Sequence, residues 1–230
     1  MTVAILTDPA FDVPAEPDGP SGTVAWLRHH VARFSPGERH PARREIVERL
    51  LAPLDPATLR QRAFEQVRSG DDPAEAAAVV PVAVLAIALG APADAIRDVV
   101  ADVRTMAAVY LPPAEPDATA DAAVARLVAV FGGRFDDETA NRVGLLAQAA
   151  NATRLLIMTS FPYGQPPGEA VAEALRDDPP AKATRRTELR TGETIAVELT
   201  GAPFGAGRHA CPGQAQAVAL ATGVIEALRS

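Results

Sequence analysis

Apolar positions recur at helical spacing through most of the chain and alternate only near its C-terminal part. Val24, Leu27, Val31 and Phe34 fall three or four residues apart and predict a helix. Ser35-Pro36-Gly37-Glu38 then reads as an N-cap, a proline at the first helical position and a capping-box glutamate, opening a helix that runs to about Leu51. Asp55-Pro56 repeats the cap-plus-proline signal and predicts a helix through about Val67, and Asp72-Pro73-Ala74-Glu75 opens another. Pro81 to Leu89 reads as a short buried helix. Ala95 to Val109 and Thr119 to Phe131 are amphipathic, and the prolines between Leu111 and Pro116 keep them apart. The longest helical pattern runs from Asp136 to Ser160, with acidic residues at its start and Pro162 beyond its end, and is the candidate central helix.

After a further helix over Gly168 to Leu175, stopped by Pro179-Pro180, the period changes. Thr187 to Leu199 alternates and is rich in β-branched residues around Thr191-Gly192, which predicts a hairpin. Gln214 to Leu228 is helical again. At the other end, Val3 to Leu6 reads as a brief strand or helix end before an irregular, proline-rich stretch to Pro20. No repeat period is visible. The expectation is a mainly α fold with a small β-sheet, one domain over residues 1–230.

Composition narrows the classes. Hydrophobic residues at 48% and charged residues at 22% exclude a disordered chain. A net charge of −7 leaves no basic surface for a run of phosphates, so no nucleic-acid partner is expected. The one cysteine, Cys211, forms no internal disulfide and supplies no thiolate-rich zinc site. The longest apolar stretch, Val79 to Leu89, is interrupted by Pro81 and too short to span a bilayer, and Asp8 and Asp12 stand where a secretory signal would be basic. No membrane association and a cytoplasmic location are therefore expected. Lys182 is the only lysine and alanine is abundant, a composition that suits a GC-rich bacterial genome.

The most informative segment is Pro203-Phe204-Gly205-Ala206-Gly207-Arg208-His209-Ala210-Cys211-Pro212-Gly213, a glycine-rich loop that delivers the cysteine to a helix start. Gly205, Gly207 and Gly213 let the backbone take conformations closed to other residues and let a flat ligand approach. N–H groups and the dipole at the helix start favour a thiolate, and Arg208 and His209 offer donors to anions.

This segment resembles the cysteine-ligand loop of the cytochrome P-450 family. The resemblance implies that Cys211 is the axial thiolate of haem iron, the metal ligand, with Phe204 packed against the loop and His209 meeting a propionate. The cofactor implied is haem b (iron protoporphyrin IX), whose thiolate ligand favours O–O cleavage. Glu173-Ala174-Leu175-Arg176 looks like the family's Glu-x-x-Arg helix, with its ion pair, and Arg186 like a propionate-binding arginine. In Phe34 to Arg44, His40 and Arg44 lie i and i+4 and would meet the propionates together, although a solvated helix face gives the same spacing. Gln148-Ala149-Ala150-Asn151-Ala152-Thr153 resembles the distal helix that crosses the haem, which makes Asn151 and Thr153 the candidate catalytic residues. Asn151 stands where the family carries an acid, and an amide does not relay a proton as a carboxylate does. Thr153 reads equally as a helix threonine bonding the preceding turn.

The resemblance spans nearly the whole chain, including Ile5 to Phe11, but describes a reduced version. Leu199 to Pro203 is too brief for the family's usual meander, and the third member of its Glu-Arg-Arg triad has no counterpart. The function implied is a haem-thiolate oxidoreductase, a P-450-like monooxygenase or a peroxide-using variant, acting on a small organic molecule of specialised metabolism. Ferredoxin or another electron donor would be its partner, and a homodimer would cover apolar surface left by the missing segments. The alternative is a non-catalytic haem-binding or partner-binding relative.

Overall fold

Aspartate caps set four of the helix starts. In the computed structural model, which describes residues 2–230, α4 (Pro56–Gln66), α5 (Pro73–Ala88), α7 (Ala118–Val130) and α8 (Asp137–Ser160) each begin behind an aspartate. Asp55, Asp72, Asp117 and Asp136 accept from the N–H of the residue three positions on, satisfying a donor the helix cannot. The other helices are α1 (Thr2–Thr7), α2 (Val24–His30), α3 (Arg39–Leu51), α6 (Ile96–Ala107), α9 (Pro167–Asp177) and α10 (Gln214–Leu228). Three short strands complete the fold: β1 (Phe11–Asp12), β2 (Ala183–Glu188) and β3 (Thr194–Glu198), antiparallel in the order β1-β2-β3.

The central helix is α8, whose Val143, Leu146, Leu156 and Ile157 are buried. It packs against α5, α6, α10 and α3, and α10 contributes the buried Leu220 and Ile225. A small second cluster, Leu6, Val197 and Leu199, seats α1 on β3. The sheet pairs Asp12 with Thr187 and Arg186 with Ile195, which sets β1 on the C-terminal end of β2.

Four local expectations need correction. Residues 73–88 form one helix, not two, with Pro81 inside it. Pro81 removes the bond to the Ala77 carbonyl, but nearly every residue from Ala76 to Ala86 is buried, and that packing holds the helix together. The start of α3 is Arg39, not the residue after Ser35, because Gly37 has φ +59° and breaks the helical run. Ser35 instead bonds the Val31 carbonyl and accepts from Arg43. Of the two readings of Val3 to Leu6 the helical one holds, but the stretch after it, expected to be irregular, contains β1. The first predicted helix ends at His30, because Val31 takes an extended backbone, and a separate 3₁₀ turn follows over Ala32–Phe34.

The tightest helix contact is at Gly223 of α10. A Cβ there would meet the backbone oxygen of Arg60 at 2.2 Å and the Ala63 side chain at 3.1 Å. Gly223→Ala is expected to push α4 off α10 and to lose about 1–3 kcal/mol of stability by overpacking, read as a lower urea midpoint. Gly168→Ala, whose Cβ would meet nothing within 4 Å, is the control. Equal midpoints for the two variants would show that the helices yield freely.

Candidate functional site

The cysteine loop is closed by its own backbone. Gly205 and Gly207 take φ +72° and +70°, and a 3₁₀ turn over Gly207–His209 follows. The Cys211 N–H donates to the Phe204 carbonyl at 2.8 Å, pinning the cysteine at the neck of the loop. Gly207 also allows close approach, since a Cβ there would stand 2.6 Å from the Leu6 carbonyl of α1. Gly213 differs: it is the residue before α10 with φ −100°, and its neighbour is Leu51 at 3.6 Å, so packing rather than a left-handed turn uses it.

Cys211 is exposed along one side, beside an open groove of about 1100 Å³ that runs between α4 and α10. Enough protein still surrounds its thiol that burial pushes its pKa up, and the Gly213 N–H and the charges of Arg33 and Arg44 offset this only in part. The helix start alone therefore does not make a thiolate here, contrary to expectation. A coordinated metal cation would.

Around the loop the chain gathers cations. Arg44 of α3 donates to the Ala210 carbonyl at 2.5 Å and to Glu48 at 2.7 Å. His40, one turn before it, is buried and packs against His209 with ring centroids 4.0 Å apart and the planes tilted by 48°. Burial lowers the pKa of both imidazoles, and that of His209 is held down to about 4, with His40 as a further cause and Asp12 opposing. His209 is therefore neutral at pH 7. Asp12 lies deep between these elements at 2% exposure. It accepts from the N–H groups of Val13 and Gly37 at 2.8 and 2.7 Å, from His209 Nε2 at 3.0 Å, and from Arg208 at 2.6 Å. An ionised carboxylate only accepts, so the His209 proton sits on Nε2. Burial works to raise the pKa of Asp12, but these donors outweigh it and the carboxyl ends below its ordinary range.

Arg186 supplies the test of fit for the haem that the resemblance implies. Its guanidinium is buried at 4% exposure and bonds only Thr184 Oγ1 and the Arg185 carbonyl, with no carboxylate ion pair among the described residues. Burial and the charges of Arg33 and Arg208 lower its pKa, and Asp12 is the acid that opposes them. A buried cation short of a counter-charge is unfavourable in a folded chain unless an anion joins it. A ligand with carboxylates fits Arg186, with Arg44 and His40 on α3 as further donors, whereas His209, neutral and with its one N–H given to Asp12, offers a carboxylate no proton in this arrangement.

On α8 the candidate catalytic pair separates. Asn151 is exposed, and its side-chain amide donates to the Ala107 carbonyl at the end of α6, 3.1 Å away. Thr153 is buried at 2% exposure. The open face of the helix runs along Leu145, Gln148, Ala149, Ala152 and Leu155, of which Leu155 is 43% exposed, with Asn151 at its edge and Thr153 turned into the core. Arg33 touches this face at Gln148, 3.4 Å away, and its charge also reaches the Cys211 thiol. The Glu173 carboxylate accepts from Gln165 at 2.5 Å, and Arg176 is exposed, so the expected ion pair of α9 is not formed. Sequence reasoning did not single out Asp12 or Arg33, and the one hint was the pair of anion donors Arg208 and His209.

No family model matches the chain, and no curated protein matches it. Solved structures do. Cytochrome P-450 BioI, in complex with an acyl carrier protein ligated to hexadec-9Z-enoic acid, aligns with a TM-score of 0.75 and 18% identity over 97% of this chain and 81% of that one. The CYP109E1 structure from Bacillus megaterium, in complex with testosterone, aligns with a TM-score of 0.69 and 16% identity over 98% and 80% of the two chains. Cytochrome P-450 260B1 of Sorangium cellulosum So Ce56 aligns with a TM-score of 0.69 and 15% identity over 99% and 78%. The fold is a shortened cytochrome P-450-like fold, mainly α with a three-stranded sheet. Among the described residues no helix is long and apolar enough to cross a membrane.

Proposed function

We propose that this chain binds haem b through Cys211 and works as a haem-thiolate oxidoreductase on a small apolar organic molecule of specialised metabolism. The observation that carries this reading is the Cys211 loop set beside Arg186, a buried cation without a carboxylate partner. Neighbours in complex with a fatty-acyl carrier protein and with testosterone support an apolar substrate class. When bound, haem supplies the redox iron at which oxygen chemistry on a C–H bond takes place.

The chain's own residues do the rest. The Phe204 carbonyl fixes the Cys211 N–H, which steadies the sulfur that would ligate the iron. His40, Arg44 and Arg186 would hold the propionates, with His209 joining them only by giving up its bond to Asp12, while Gly205, Gly207 and Gly213 would keep the loop close to the ring and Phe204 would pack beneath it. Leu145, Ala149, Ala152 and Leu155 offer the apolar face of α8 to ring or substrate. Asn151 donates its amide to Ala107 and holds no acidic proton, and Thr153 is buried. Those two observations favour a second reading, in which haem is bound but oxygen is not activated through a proton relay: a peroxide-using enzyme or a non-catalytic haem protein. In the first reading, ferredoxin or another electron donor supplies electrons.

The test is an absorption spectrum of the purified protein after haem reconstitution, recorded ferric, reduced, and reduced with carbon monoxide. A strongly red-shifted carbon monoxide Soret band that disappears in Cys211→Ala is the expected result. Failure to take up haem would defeat both readings. Turnover with an electron donor against turnover with peroxide then separates the first reading from the second.

A further inference from the structure

A second cluster of donors lies away from the cysteine loop, where α2 meets the irregular segment before it. We propose that Asp18, His29 and His30 form a binding site for a divalent cation of the zinc class. One ligand atom from each lies within 4.8 Å of the other two. His30 Nε2 stands 3.7 Å from one Asp18 carboxylate oxygen and His29 Nε2 stands 4.0 Å from the other. Ligands about 2.1 Å from a tetrahedral ion stand roughly 3.4 Å apart. A small turn of the exposed Asp18 side chain therefore brings its carboxylate to ligand spacing from either imidazole, and the two imidazoles, within 4.8 Å of each other, draw together by at most about 1.4 Å.

The stronger argument is how the imidazoles are held. His29 Nδ1 lies 2.9 Å from the Glu16 carbonyl, which only accepts, so this nitrogen carries the proton. His30 Nδ1 lies 2.6 Å from the Asp137 carboxylate at the start of α8, with the same consequence. Both Nε2 atoms are thereby left unprotonated, as acceptors, beside one carboxylate. An imidazole whose far nitrogen is tied to a carbonyl or a carboxylate is the arrangement that orients histidines on metals and raises their basicity. Asp137 is itself fixed by Arg43 at 2.9 Å. Two imidazoles and one carboxylate suit zinc and its neighbours more than calcium or magnesium, and leave positions for water.

One group stands against the ion. The exposed Arg39 points Nη1 at His29 Nε2 from 2.7 Å and uses the lone pair that the metal needs. Its side chain must swing away on binding, so Arg39→Ala is expected to tighten the site.

The test titrates the protein with Zn²⁺ alone by calorimetry and with Cu²⁺ by fluorescence. Trp26 is the only tryptophan, and its ring centroid lies 5.4 Å from that of His30, so copper at this site quenches the emission directly. Binding is expected to weaken at least about tenfold in Asp18→Asn, which alters only an exposed side chain, and in His30→Ala. Cys211→Ser is expected to leave it unchanged. Equal zinc affinity in Asp18→Asn, His30→Ala and the unaltered protein would overturn the proposal, as would loss of binding in Cys211→Ser or no saturable binding at all. Circular dichroism of each variant separates lost ligation from lost fold.

Discussion

Asp12→Ala is expected to cost the fold about 3 kcal/mol, the low end for removing one partner of a buried ion pair. The loss comes from the groups left behind. The His209 Nε2–H and the Val13 and Gly37 N–H groups lose their acceptor together, and each buried donor without a partner costs about 1–3 kcal/mol. Arg208, at 44% exposure of its side chain, adds less because solvent screens it. Asp12→Asn keeps an acceptor oxygen and loses the charge, so its urea midpoint is expected between those of Asp12→Ala and the unaltered protein. A cost below about 1 kcal/mol for Asp12→Ala would mean that water takes over the carboxylate's place at no penalty.

Acid attacks the same knot. His209 has its pKa lowered in the fold from 6.5 to about 4, burial being the largest cause. The unfolded chain therefore takes up the proton first, so stability is whole above pH 6.5 and drains as pH falls toward 4. For this one imidazole the loss is roughly 3 kcal/mol at full extent. His40 is shifted the same way, also by burial first. Asp12, held below its ordinary 3.8, contributes stability that is present above that value and lost as pH falls through its lower folded pKa. Two stages are expected in the urea midpoint against pH, the first between about 6.5 and 4. His209→Gln, which carries an N–H toward Asp12 but does not titrate, is expected to flatten that first stage. A midpoint flat from pH 7 to 4.5 in the unaltered protein would contradict it.

How far the chain could be read depended on how local each cause was. The starts of α4, α5 and α8 were legible because Asp55, Asp72 and Asp136 bond N–H groups three residues away. The start of α3 was not, because Ser35, which looks like a cap, is drawn off by Arg43 and Val31. Pro81 reads as a break, yet burial of its neighbours carries α5 through it. The cysteine loop could be read because its glycines, its donors and Cys211 are contiguous. The faces of Asn151 and Thr153 could not, since packing against α6 and the core decides how α8 is turned. Nor could Asp18 be joined to His29 and His30, because the irregular segment that folds Asp18 back toward α2 has no period to follow.

Asp12 and His209 are 197 residues apart in the chain. During synthesis at about 5–20 residues per second, the buried faces of α4 to α8 are available to one another well before residue 209 leaves the ribosome. The carboxylate of β1 must wait for its imidazole while the 197 residues up to it are made. Closing so long a loop is entropically slow and is rewarded only at the end. The α4–α8 part of the helical core is thus the natural early product of folding, and the cysteine loop and the α10 helix behind it dock onto a scaffold that already exists.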